Sequence, residues 1–413
     1  MNAQESDERA RSTADAVARR SYGKLVAFLA ARTGDVAAAE DALSDAFASA
    51  LADWPLNGCP SNPEAWLMTA ARRKLIDLDR RRRRGEAATA ELQILSDGLH
   101  AAAASDAAIP DHRLALMFIC AHPAIEAGVR APLMLQVVLG LDAKTIASAF
   151  LTSPSAMGKR LVRAKDKIRQ AGIPFAVPER EELPGRLDTV LDAIYAAFAE
   201  GWSDPSGTDA ARRDLTDEAM FLATLLTELL PDEPEALGLR ALMLHAATRR
   251  HARRNAQGDY VPLAEQDTEH WNSAMIDEGE SLLRRAADLG TIGRYQLEGA
   301  LQSAHVERRR TGRDNRAAVV QFYDALYAIA ASPVVAVNRA LAIAELHGAA
   351  AALLALDAVA GDARMAEYQP WWAARAELLN RSGAHDEARR AYDMAIGLEH
   401  DPAVRRFLQR RRP

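Results

Sequence analysis

Alanine and leucine dominate this chain at helical spacing, and few segments alternate apolar and polar residues with period two. Apolar groups three and four residues apart stack on one stripe of a helix, whereas a half-buried strand needs strict alternation. The pattern predicts an all-α chain in which no sheet is needed. Its 413 residues, 49% hydrophobic and 26% charged, fit a soluble globular protein of two or three domains with sizeable cores. Cys59 and Cys120 lie far apart, with no CxxC pair and no histidine at metal-ligand spacing, so a reducing compartment is expected and a structural disulfide or metal site is not. Met1 to Arg20 is charged and lacks the apolar core of a secretion signal, and no stretch approaches bilayer length. A cytoplasmic protein without a membrane partner is expected.

The first 84 residues read as one helical module. Leu25, Phe28 and Leu29 form an apolar stripe, and Val36, Leu43, Phe47 and Leu51 form a second. Asp35 is placed to cap the second helix, whose opposite face carries Glu40, Asp41 and Asp45. A Pro/Gly loop from Trp54 to Pro60 leads into a basic helix. Between Arg72 and Arg84 there are eight basic side chains against two acids, in a chain whose net charge is -6. A basic stripe in an acidic molecule points to one polyanion-binding face rather than to general stickiness. Trp66, Leu67, Ala70, Leu75 and Leu78 fall near helical spacing, so Arg72, Arg73, Lys74, Arg80 and Arg81 are expected to project from the rest of that helix.

Residues 85–110 turn small and polar, which predicts a flexible linker with a short helix at Leu92 to Leu99. A second module, 111–175, follows. Asp142 to Phe150 reads as a short helix, Leu151 to Ser153 as a turn, and Pro154 to Gln170 as a longer helix opening on proline, a helix-turn-helix pattern. Met157, Leu161, Ala164 and Ile168 are its buried stripe, and six basic residues against one acid lie between Lys159 and Arg169. Such a helix suits the DNA major groove. Ser155, Lys159, Arg160 and Arg163 are the expected contacts, with Lys165, Lys167 and Arg169 reaching backbone or solvent.

From 183 to 413 helix follows helix. Trp372, Ala376, Leu379, Gly383, Ala388, Tyr392 and Ala395 carry the large and small positions of a tetratricopeptide hairpin, with weaker copies at Pro333 to Val359 and Pro234 to Leu244. An irregular repeat domain is expected there, with Trp371, Trp372 and Tyr392 in its core. His245, His251 and His305 have no metal-binding context and read as satisfied or surface histidines. No phosphate-binding glycine loop, nucleophile elbow or metal cluster is present, so neither an enzyme nor a cofactor is expected.

Gly34-Asp35 with Ala39-Glu40-Asp41-Ala42 and Phe47, Ala65-Trp66-Leu67, and Ala71 to Asp77 together resemble the alternative bacterial RNA polymerase sigma factors of the extracytoplasmic function type. Leu187 to Trp202, Leu229 to Ala236, Gln266-Asp267 with Trp271, Tyr295-Gln296-Leu297 with His305, and Pro333-Val334-Val335 with Asn338-Arg339-Ala340 are similar to the subgroup carrying a tetratricopeptide-like C-terminal extension. The resemblance implies that Asp35, Glu40, Asp41 and Asp45 dock on core polymerase. It implies that Trp66, Arg72, Arg73, Lys74, Asp77, Arg80 and Arg81 melt and read the minus-10 element. Ser155, Lys159, Arg160 and Arg163 would then read the minus-35 element. The implied partners are the clamp and flap regions of core polymerase, promoter DNA, and a protein or peptide ligand of the extension. Arg73 departs from the asparagine common in relatives, Ser44 from a frequent glutamine and Thr268 from a frequent arginine. Two other readings stay open: a helix-turn-helix regulator acting without polymerase, and an interaction scaffold built on the repeats.

Overall fold

The computed structural model describes residues 3–83, 111–150, 152–179, 182–202 and 210–413. Among them every regular element is helical, and backbone pairing of the β type is confined to an isolated bridge between Arg254 and Tyr260. The all-α expectation holds. The linker 85–110, with its expected helix at Leu92 to Leu99, lies outside the described residues. The chain divides into two compact units, residues 1–201 with 214–218, and residues 202–213 with 219–413.

In the first unit α1 (Ala3–Thr33), α2 (Val36–Asn57) and α3 (Pro63–Arg83) pack side by side. Gly34, at φ +65°, turns the chain out of α1, and the Asp35 carboxylate accepts the Ala38 amide at 3.0 Å to start α2. The expected loop after α2 is shorter than its Pro/Gly content implied. Trp54 is buried, edge-on to Trp66 at 5.5 Å between centroids, and holds the last turn of α2 helical as far as Asn57. Leu51 stands exposed rather than on the core stripe.

The same unit contains α4 (Arg113–Cys120), α5 (Ala127–Leu139), α6 (Ala143–Ala149) and α7 (Pro154–Gln170). Asp142 accepts the Lys144 and Thr145 amides, each at 2.8 Å, at the start of α6. Ser153 caps α7 through the Ala156 amide at 3.2 Å. Met157, Leu161, Ala164 and Ile168 are buried, as the spacing predicts. These helices do not stand apart from the first three. A Cβ at Gly23 of α1 would lie 2.0 Å from the Val138 carbonyl oxygen of α5, so the two backbones touch where only glycine fits. Helix α8 (Leu183–Trp202) also belongs here, burying Leu187, Val190, Leu191, Ile194 and Phe198, while Arg186 donates to the Phe118 carbonyl of α4 at 3.3 Å.

The second unit runs from the later part of α9 (Ala210–Leu229) through α10 (Pro234–Ala247), α11 (Ser273–Asp288), α12 (Arg294–Thr311), α13 (Arg316–Ile329) and α14 (Pro333–His347). It continues with α15 (Ala349–Asp357), α16 (Gln369–Arg381), α17 (His385–Leu398) and α18 (Pro402–Arg411). Ala376, Leu379, Ala388, Tyr392 and Ala395 share one core between α16 and α17, with Gly383 at φ +83° in the turn. Trp371 is buried and Trp372 half-buried, edge-on at 4.7 Å. His251 is exposed, as the surface reading expects, but His245 and His305 depart from the expectation of satisfied or surface histidines. His245 is fully buried with neither ring nitrogen hydrogen-bonded, and His305 buries an unpartnered Nδ1. The cause is packing: α10 and α11 close so tightly that a Cβ at Gly279 would fall 2.9 Å from His245 Nε2.

Candidate nucleic-acid interface

Helix α7 sorts its basic residues by direction. Its core stripe faces one way, and Ser155, Lys159, Arg163 and Lys167, four residues apart, are exposed in a row on the other side. Val162, 57% exposed, sits among them. One hydroxyl, two ammonium groups and one guanidinium in a row present donors to phosphate oxygens and base edges. Arg160 points elsewhere. Its guanidinium donates to the Gly128 carbonyl at 3.0 Å and lies 3.5 Å from Glu126, which ties α7 to the start of α5. The sequence reading that placed Arg160 beside Lys159 as a contact overlooked this local partner.

Lys165 and Arg169 were expected to meet backbone or solvent, and they meet α2 instead. Lys165 Nζ donates to Glu40 Oε2 at 2.8 Å, with the two side chains only 14% and 8% exposed. Arg169 Nη1 lies 3.6 Å from Asp35 Oδ2. Glu40 is therefore not on an open acidic face. Four residues after Val36 and three before Leu43, it falls on the buried stripe. Burial raises its carboxyl above the ordinary range, while Lys165 pulls it back down. Asp41 and Asp45 remain exposed, and Asp45 pairs with Lys74 at 3.2 Å.

On α3 the Asn62 side chain accepts the Ala65 amide at 3.1 Å, Leu67 and Ala71 are buried, and Trp66 is half-buried against Trp54. Arg73, Lys74 and Asp77 face solvent. Arg72, expected among the outward cations, is 8% exposed, its guanidinium 5.8 Å from the Phe28 ring centre. Position 72 lies one turn beyond Met68 and next to Ala71, both buried, which carries it under the helix. Burial, and then the neighbouring Arg32, lower its pKa. The side chains of Arg80 and Arg81 lie outside the described residues. Lys165 and Val162 are the positions that sequence reasoning missed. A helical-wheel count gives the outward place of Val162, but nothing local announces the partner of Lys165, 125 residues from Glu40.

Among the described residues no group of three or more His, Cys, Asp or Glu side chains could hold a metal, and no helix is long and apolar enough to cross a membrane. Residues 17–85 match the family model described as Sigma-70 region 2, and residues 186–287 match one described as a family of unknown function (DUF6596). An uncharacterized protein of Rhizobium meliloti (strain 1021) is 37% identical over 365 residues, covering 87% of this chain and 86% of its own length. No solved structure matches the chain. A sigma-70 region 2 formed by α1 to α3 carries a role in transcription initiation through core RNA polymerase and promoter DNA. The chain belongs to the same family as the Rhizobium protein and is a sigma-70-related factor.

Proposed function

We propose that the chain is an alternative sigma factor of the extracytoplasmic function type, directing core polymerase to specific promoters, with its C-terminal helices acting as a tetratricopeptide-like regulatory extension. The observation that carries this reading is the outward row Ser155, Lys159, Arg163 and Lys167 on the second helix of a helix-turn-helix, in a chain that also holds a sigma-70 region 2. In this reading α7 enters the major groove of the minus-35 element. Trp66, Arg73, Lys74 and Asp77 on α3 meet the minus-10 element, where melting needs phosphate anchoring together with an aromatic surface for unstacked bases. The acids of α2 dock on the polymerase clamp.

Run-off transcription by core polymerase on the chain's own upstream promoter tests the reading. Transcription is expected only with the protein present, and Lys159→Ala with Arg163→Ala is expected to abolish it. A chain that binds this promoter equally well without polymerase would be a conventional regulator. Truncation after Pro178 tests the extension: transcription equal to that of the full chain would end its regulatory role.

A further inference from the structure

Two of the four acids assigned to polymerase, Glu40 and Asp35, are covered in this structure by cations of α7. Glu40 is held by Lys165 at 2.8 Å and Asp35 by Arg169 at 3.6 Å. Behind these pairs the packing is tight: α1 meets α5 backbone to backbone at Gly23, and the Tyr22 ring lies where a Cβ on Gly140 would be, 2.8 Å away. A carboxylate as buried as Glu40 reaches no outside partner until α7 moves. The outward row of α7 is untouched by this contact, so what is covered is the acidic surface of α2 and not the DNA face.

We propose that this surface of α2 has two mutually exclusive occupants: the Lys165 and Arg169 edge of α7 in the free chain, and a basic surface of polymerase in the assembled enzyme. The second occupant rests on the proposed sigma function, and the first does not. A buried carboxylate stripped of its cation is strongly disfavoured, so exchange of one cationic surface for another is the accessible route, with exposed Asp41 placed to attract the incoming one first. The helix-turn-helix module leaves α2 as polymerase arrives.

Cys120 reports the state. It is wholly buried in α4 and near enough to feel the charges of both Glu40 and Lys165. In full-length protein carrying Cys59→Ser, labelling of Cys120 by a maleimide is expected to be slow. Lys165→Glu is expected to speed it about tenfold or more, since it sets two acids against each other inside the contact. Gly23→Ala tests the same packing from the far side: alanine favours helix α1 itself, yet its Cβ displaces α5. Glu40→Lys combined with Lys165→Glu should restore slow labelling, which separates opening of the contact from a failure to fold. Both opening variants should also bind core polymerase more tightly. Labelling at the parent rate in Lys165→Glu and Gly23→Ala would overturn the closed packing. Fast labelling without tighter polymerase binding would overturn the shared surface. No polymerase binding by any variant would sink the docking reading and the exchange with it, while labelling still decides the closed packing.

Discussion

Replacing Lys165 with methionine should weaken the α2–α7 contact by about 3 kcal/mol, because it leaves a buried carboxylate without its cation. The magnitude follows from exposure. Lys165 and Glu40 are 14% and 8% exposed, which puts the pair among buried ion pairs, where loss of one partner is costly. Arg169 and Asp35 join the same two helices but are 46% and 12% exposed at 3.6 Å, and Arg169 keeps Asp166 at 2.6 Å, so Arg169→Ala should cost at most about 1 kcal/mol. Removing both members of the buried pair, with Glu40→Leu and Lys165→Met, should be nearly neutral. The pH dependence has a definite sign. Glu40 already titrates above its ordinary value through burial, and loss of Lys165 removes the main influence lowering it. In the single variant the folded state then binds a proton more readily than the unfolded chain. Its deficit should therefore shrink as pH falls from neutral towards that raised value. Amide exchange of α2 and α7 in the full-length protein, followed by mass spectrometry, would read the loss as roughly hundredfold faster exchange. Equal effects of Lys165→Met and Arg169→Ala, or a double variant as weak as the single one, would refute the reasoning.

In the second unit, burial and then nearby Arg308 lower His305 to about 4, so it stays neutral where the unfolded chain takes up a proton. Stability should be complete above about pH 6.5 and decline towards pH 4 by up to about 3 kcal/mol, and His305→Leu should flatten this decline in urea titrations of the full chain. Glu235 of α10 accepts the Tyr295 and Gln296 amides of α12 at 2.8 and 3.0 Å. Glu235→Ala strands two donors at that helix start and should cost about 1–2 kcal/mol, measured by the same titrations. On promoter DNA with core polymerase, Lys159→Ala should reduce the slope of log affinity against log salt by about 0.9, whereas Arg160→Ala should leave the slope unchanged.

Much of the local structure was legible because its causes are local. Asp35 sits three residues before the amide it caps, and Met157, Leu161, Ala164 and Ile168 keep helical spacing over a whole helix. The α16–α17 hairpin could be read from its small residues for the same reason. Apart from Leu51 and the last turn of α2, the departures were charged or polar groups whose partners lie far off in sequence. Glu40 and Arg72 occupy core-side positions on α2 and α3, and only distant groups make that tolerable: Lys165 for one, the Phe28 ring for the other. His245, read as satisfied or at the surface, is instead buried with neither ring nitrogen hydrogen-bonded, and its burial depends on Gly279 of another helix.

Helix α7 shows why a run of basic residues is a poor measure of a DNA face. Of its six cations, Lys159, Arg163 and Lys167 point outward, Arg160 anchors α5, and Lys165 and Arg169 hold α2. Formal charge therefore overstates what the helix can offer to phosphate by a factor of two, and the cations in the two classes are under different constraints. An outward cation can be exchanged for another with modest loss, because a solvated phosphate contact tolerates geometry. Lys165 cannot be treated so. Its site accepts one ammonium against one carboxylate oxygen in a nearly dry contact, and the broader guanidinium of arginine would bring N–H donors that Glu40 alone cannot satisfy. Lys165→Arg should then loosen the α2–α7 contact although charge is conserved, whereas Lys167→Arg on the outward row should leave that contact unchanged.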